Sequence, residues 1–140
     1  MFIDLRDKMV SVLTRIRERG YGPEDAINHI VQSLGSRYSD VSKVNVLTSK
    51  LIADVIHSTY QDDTSPLQVA AIIRVLGYAA WDVVGGIHEQ YPQLTPEEVG
   101  RVLLDEKVYP KTDRTAFISA MTYGGYTREE SEQAANSLYS

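Results

Sequence analysis

The chain of 140 residues contains no cysteine, which removes disulfides, thiolate metal sites and cysteine nucleophiles together. No apolar run approaches the roughly 20 residues that cross a bilayer, so no membrane partner is expected. The opening "MFIDLRDKMV" carries acids where a secretory leader would be basic and then apolar. A cytoplasmic location is the expectation. The strict apolar–polar alternation of a half-buried strand is missing throughout. Also missing are a Gly-x-Ser-x-Gly elbow and a phosphate-binding loop; "LGYAAWDVVGG" has glycines but neither the lysine nor a preceding strand. Histidine is scarce. His29, His57 and His88 fall on three different helical stretches, none with a second histidine at the three- or four-residue spacing of a helical metal site. Neither a metal nor a cofactor is expected.

What is present describes a folded chain. Hydrophobic residues make up 43% and charged residues 24%, outside the disordered and collagen-like classes. The net charge of −5 is uneven: residues 1–60 carry +1 and residues 61–140 carry −6. Neither half offers the clustered basic face of a nucleic-acid footprint. The one dense basic cluster, "RIRER" at 15–19, contains Glu18 and reads as a solvated face, with a backbone phosphate contact as the weaker alternative.

Apolar residues recur at spacings of three and four from end to end, so the fold class is all-α: a compact array of seven or eight short antiparallel helices. The first runs over 3–19, with Leu5, Met9, Val12, Leu13 and Ile16 on one face, and Gly20 stops it. The second starts at Pro23 and ends at Gly35. A third, the longest, spans 40–60 with a stripe of Val41, Val44, Leu47, Leu51, Val55 and Ile56. "QDDTSP" is then the best internal boundary, separating an N-terminal part (1–61) from a C-terminal part (62–140) that can also form one domain. Ser65 with Gln68 is a capping-box pattern opening the fourth helix, and the fifth follows over 79–91. Thr95 with Glu98 opens the sixth, Thr112 or Asp113 the seventh, and Thr127 with Glu130 the eighth.

A loose repeat runs through these boundaries. Gly20-Tyr21, Gly77-Tyr78 and Gly125-Tyr126 are each followed, four residues after the tyrosine, by an acid: Asp25, Asp82 and Glu130. Nine residues after each tyrosine stand Ile30, Ile87 and Ala135. Glycine can close a helix in the left-handed conformation, the tyrosine can fold back over the last turn, and the acid faces the positive end of the next helix. The recurrence therefore reads as a device for short helix hairpins.

The run "SPLQVAAIIRVLGYAAWDVVGGIHEQYPQLTPEEVGRVLLDE" resembles a ubiquitin-associated (UBA) three-helix module, and "MTYGGYTREESEQAANSLY" resembles the first two helices of the same pattern, also used by the C-terminal domain of the RuvA branch-migration protein. Together they cover about half the chain. Leu76-Gly77-Tyr78 stands where Met-Gly-Phe is commonest, and Gly85-Gly86 interrupts the second helix. The resemblance implies a partner-binding loop at Leu76, Gly77 and Tyr78.

The acidic pairs do not assemble chemistry. Glu97-Glu98 and Glu129-Glu130 lie in first helical turns, where the dipole favours them, and Asp62-Asp63 lies in a loop. In the fifth helix Val84, Ile87 and Tyr91 make the core stripe, while Trp81, Gly85 and His88 fall side by side on its flank. Two glycines inside a helix cost about 1 kcal/mol each. Either another helix packs closely against them, or a shallow groove opens beside Trp81 as an anchor. The expected site is a partner-binding face of Leu76, Gly77, Tyr78, Trp81, Gly85 and His88, and the expected function a non-enzymatic protein–protein interaction module or adaptor, self-association being compatible. The alternatives are a nucleic-acid-associated helical protein and a small acidic inhibitor of a nucleic-acid-binding enzyme.

Overall fold

The computed structural model describes residues 5–35 and 48–139, apart from the side chains of 33–35. Among them are eight α-helices and no strand: α1 (Leu5–Glu18), α2 (Pro23–Gly35), α3 (Ser49–Tyr60), α4 (Pro66–Val75), α5 (Ala80–Gln90), α6 (Pro96–Leu103), α7 (Arg114–Tyr123) and α8 (Arg128–Leu138). A 3₁₀ turn at Gln61–Asp63 follows α3. The expected helix start at residue 3, and the stripe residues Val41, Val44 and Leu47, lie outside the described residues.

Polar side chains open the helices as their spacing suggests. Thr95 Oγ1 accepts the Glu98 N–H at 3.1 Å while the Glu98 carboxylate accepts the Thr95 N–H at 2.9 Å. Thr127 and Glu130 repeat this at the same distances. Asp113, rather than Thr112, caps α7 by accepting the Ala116 N–H at 2.8 Å. Two expectations change. Ser65 caps α4, but Gln68 does not reach back to complete the box; its Oε1 accepts from the Thr64 hydroxyl at 2.9 Å instead. The third helix, expected over 40–60, has its start at Ser49: Thr48 is extended (φ −80°, ψ 158°) and turns its hydroxyl onto the Leu51 N–H, while 40–47 lie outside the described residues. A threonine that satisfies an orphan N–H in this way makes a helix start at its own position.

All three Gly-Tyr pairs close their helices identically. Gly20, Gly77 and Gly125 have φ of +91°, +97° and +120°. In each, the glycine N–H bonds three residues back (to Arg17, Arg74 and Thr122) and the tyrosine N–H five back (to Ile16, Ile73 and Met121). This paired 5→2 and 6→1 bonding is the Schellman motif, which satisfies the last carbonyls of a helix and requires a left-handed residue. The acids then serve the next helix: the Asp82 and Glu130 carboxylates accept N–H bonds from Ala79 and Thr127.

Two of the three turns carry a further tie. Arg17 and Arg74 each stand three residues before the glycine. The Arg17 guanidinium lies over the Tyr60 ring (5.4 Å) and donates to the Thr59 carbonyl at 2.5 Å. Arg74 lies over Tyr109 (4.5 Å) and donates to the Val108 carbonyl at 3.1 Å. The same two tyrosines donate their hydroxyls to the backbone carbonyls of the turn residues: Tyr60 to Tyr21 at 2.8 Å, Tyr109 to Tyr78. Each clamp thus joins a hairpin turn to a later part of the chain by a stacked cation and two hydrogen bonds. At the third turn Thr122 replaces the arginine.

α5 lies at the centre, packed by α3, α4, α6 and α7. Five successive residues, Val83 to Ile87, are buried, so the middle of the helix is enclosed on all sides rather than along the single stripe of Val84, Ile87 and Tyr91. Each fully buried valine or isoleucine contributes roughly 1.5–3 kcal/mol. The glycines permit the enclosure: a β-carbon on Gly86 would lie 3.2 Å from the Ser49 carbonyl and 3.4 Å from Ala53 Cβ, both of α3. The buried side chains form one hydrophobic cluster extending from Met9 to Ala135.

Candidate functional site

The α4–α5 turn exposes Gly77 and buries Tyr78, whose ring is only 4% accessible and whose carbonyl is held by Tyr109. The aromatic ring that reaches solvent is three residues further on. Trp81, in the first turn of α5, is 50% exposed, because the helix starts at Ala80 and its buried segment begins only at Val83.

Trp81 forms one wall of a shallow groove of about 490 Å³ between α5 and α7. Tyr123, at the end of α7, is 77% exposed and forms another. Ala80, Ala116 and Ala120 supply small apolar surface between them, and Ser119 the one hydroxyl apart from tyrosine. No lining residue carries a carboxylate or a cation. The α7 residues repeat at 116, 119, 120 and 123, one face of one helix.

The other expected site residues are elsewhere. Leu76, half-buried, belongs to a second groove, shared by α2 and α4. Gly85 is buried, with the Lys50 side chain and the Gly124 carbonyl next to the position a β-carbon would take. His88 is half-buried and lies against the Tyr126 ring, centroids 4.1 Å apart. The six residues are therefore divided among a turn, two grooves and the interface of α5 with the α7–α8 turn. Comparison with protein-family models, with curated proteins and with solved structures returned no match.

The electrostatics of the named acids follow from helix starts. Hydrogen bonds from the Thr127 backbone and side chain hold the Glu130 carboxyl below its ordinary range, with His88 adding to the effect. Thr95 does the same for Glu98. Asp82 moves upward because it is partly buried, the Ala79 N–H moderating the rise. Burial, assisted by the Glu130 charge, pushes the Tyr126 phenol up to about 12. Among the described residues no group of three or more histidines or carboxylates is placed to hold a metal, and no helix is long and apolar enough to cross a membrane.

Tyr123 and the α7 alanines have no distinguishing mark in the sequence. Tyr123 precedes Gly124-Gly125 and reads as another ring folded over a helix stop. Only the placement of α7 beside the start of α5 gives it a shared surface with Trp81.

Proposed function

We propose that the chain is a non-enzymatic protein–protein interaction module whose docking face is the groove between α5 and α7. The observation that carries this reading is the pair of solvent-exposed aromatic walls, Trp81 and Tyr123, over a floor of alanines without charge. Tryptophan and tyrosine beside small apolar residues are the groups that dominate interface energetics when a partner covers them. Of the paired acids that would otherwise suggest acid–base chemistry, Glu98 and Glu130 are engaged at helix starts in complete capping boxes, and Asp63 pairs with Arg17.

Affinity capture from the native source with the wild-type chain and a Trp81→Ala variant tests the reading, with bound protein and nucleic acid measured together. The half-exposed ring leaves the fold of the variant intact, checked by circular dichroism. Loss of one anchoring aromatic lowers affinity at least about tenfold, the 1.4 kcal/mol that a hot-spot residue exceeds. A protein retained by the wild type and lost from the variant supports the proposal. Nucleic acid retained equally by both, or no bound protein, overturns it.

A further inference from the structure

The two arginine–tyrosine clamps follow one plan until their last contact. In each, the guanidinium stacks on the ring and donates to the carbonyl of the residue just before that tyrosine: Arg17 to Thr59, through Nη1, and Arg74 to Val108, through Nε. In the first clamp the guanidinium is then completed by a carboxylate, since Arg17 Nη2 donates to Asp63, three residues after Tyr60. The second clamp has no such acid. Three residues after Tyr109 stands Thr112, whose hydroxyl donates to the Tyr109 carbonyl at 2.8 Å. Neither Nη1 nor Nη2 of Arg74 has a hydrogen-bond or ion-pair partner among the described residues.

Where the carboxylate would be, the surface opens into a groove of about 470 Å³, with Arg74, Tyr109, Pro110, Lys111 and Thr112 in its lining. Glu106 is the single acid there, and it pairs neither with Arg74 nor with Lys111. Arg17 is half-buried beneath its completed clamp, whereas Arg74 is exposed. Stacking on Tyr109 and the bond to Val108 hold the Arg74 guanidinium in place before a ligand arrives, which lowers the ordering cost of binding.

We propose that this groove receives one carboxylate from outside the chain, an aspartate or glutamate side chain of a partner protein, set on Arg74 as Asp63 is set on Arg17. The first clamp argues for this occupant, because it shows which group completes the same arginine–tyrosine arrangement elsewhere in the molecule. A planar guanidinium matches the two oxygens of a carboxylate, and the bonds are charge-assisted. Lys111 supplies a second cation, and Tyr109 with Pro110 apolar surface for the methylene that carries the acid. On a chain of net charge −5, the attraction is local to these two cations and is screened by salt. The inference does not depend on the α5–α7 groove.

NMR titration of the isotope-labelled chain at constant ionic strength tests it. The probes are a capped Ala-Asp-Ala peptide, the matching Ala-Asn-Ala peptide and inorganic phosphate. The aspartate peptide is expected to shift the Arg74 side-chain signal and the Lys111 and Thr112 amides saturably. The asparagine peptide binds at least about tenfold more weakly, and Arg74→Gln weakens the aspartate peptide to the same degree. Arg17 in the wild type does not respond, its carboxylate being present already. Asp63→Ala, at an exposed position, vacates the first clamp and makes Arg17 respond as Arg74 does, so the test survives even if Arg74→Gln unfolds. Trp81→Ala leaves the titration unchanged, which separates this result from the fate of the α5–α7 reading. No saturable shift at Arg74, or equal binding of the two peptides, overturns the proposal. Phosphate binding more tightly than the aspartate peptide overturns it by assigning the groove to a different anion. An Arg17 that stays silent in Asp63→Ala overturns it also, since the two clamps would then not be equivalent.

Discussion

Gln61 is the one described residue other than glycine with positive φ (φ 47°, ψ −118°). It ends α3 and gives its N–H to the His57 carbonyl, so the chain reverses there on a backbone conformation suited to glycine. A side chain held in a sparsely populated region costs on the order of 1–3 kcal/mol, and glycine's extra freedom when unfolded costs roughly 0.5–1 kcal/mol. Gln61→Gly is therefore expected to stabilise the chain by about 1 kcal/mol, read as a higher urea midpoint at unchanged slope. A lowered midpoint would mean that the backbone is not strained. Glutamine in "YQDDTSP" carries no sign of this, since only the chain path between α3 and α4 imposes the reversal. The repeat tyrosines teach the same lesson. Tyr78 and Tyr126 are buried whereas Tyr21 is 54% exposed, although all three follow the same turn. The local motif sets the backbone, and a neighbouring helix decides whether the ring is covered.

At the scale of elements, helix ends were the legible part. Glycine stops and hydroxyl or carboxylate starts act within four residues, so a sequence displays both partners of each bond. Where a side chain has a competing partner the sequence misleads, as when Gln68 turns to Thr64, or when Thr48 starts a helix inside an apolar stripe. The clamps lay beyond reach: Arg-x-x-Gly-Tyr is visible twice, but Tyr60 and Tyr109 follow their turn tyrosines by 39 and 31 residues, and no fixed period links them. Tyr109→Phe removes one hydroxyl from a turn carbonyl and is expected to destabilise by about 1 kcal/mol. Tyr123→Phe, at an exposed ring, supplies the control with little change. Equal effects of the two in thermal denaturation would show that the Tyr109 bond contributes nothing.

For the molecule as a whole, several carboxylates make stability depend on acid. Burial opposes the charge of Asp54, but hydrogen bonds from Arg6 and Ser58 outweigh it and bring its carboxyl below the ordinary range. Glu98 and Glu130 are lowered by their capping bonds. The unfolded chain thus binds these protons more readily than the native one, so their stabilisation is complete above the ordinary carboxylate range and is lost as pH falls through the depressed values. Asp82, raised by burial, acts in the opposite sense. The expected result is a urea midpoint that drops on acidification, with a shallower drop in Glu130→Gln; an identical pH profile in that variant would remove Glu130 from the account. The central position of α5 was only half legible, because periodicity tells which face of a helix is apolar and not how many neighbours enclose it; Gly85-Gly86 was the signal, and close approach of α3 its meaning. The clamps also set an order of opening. The turns after α1 and α4 are each tied to a distant tyrosine, whereas the α7–α8 turn has a threonine where the arginine would be. In native-state hydrogen exchange the amides of α7 and α8 are expected to open as a unit of lower free energy than those of α4 and α5. The C-terminal hairpin would then be the part of the molecule that detaches first and returns last.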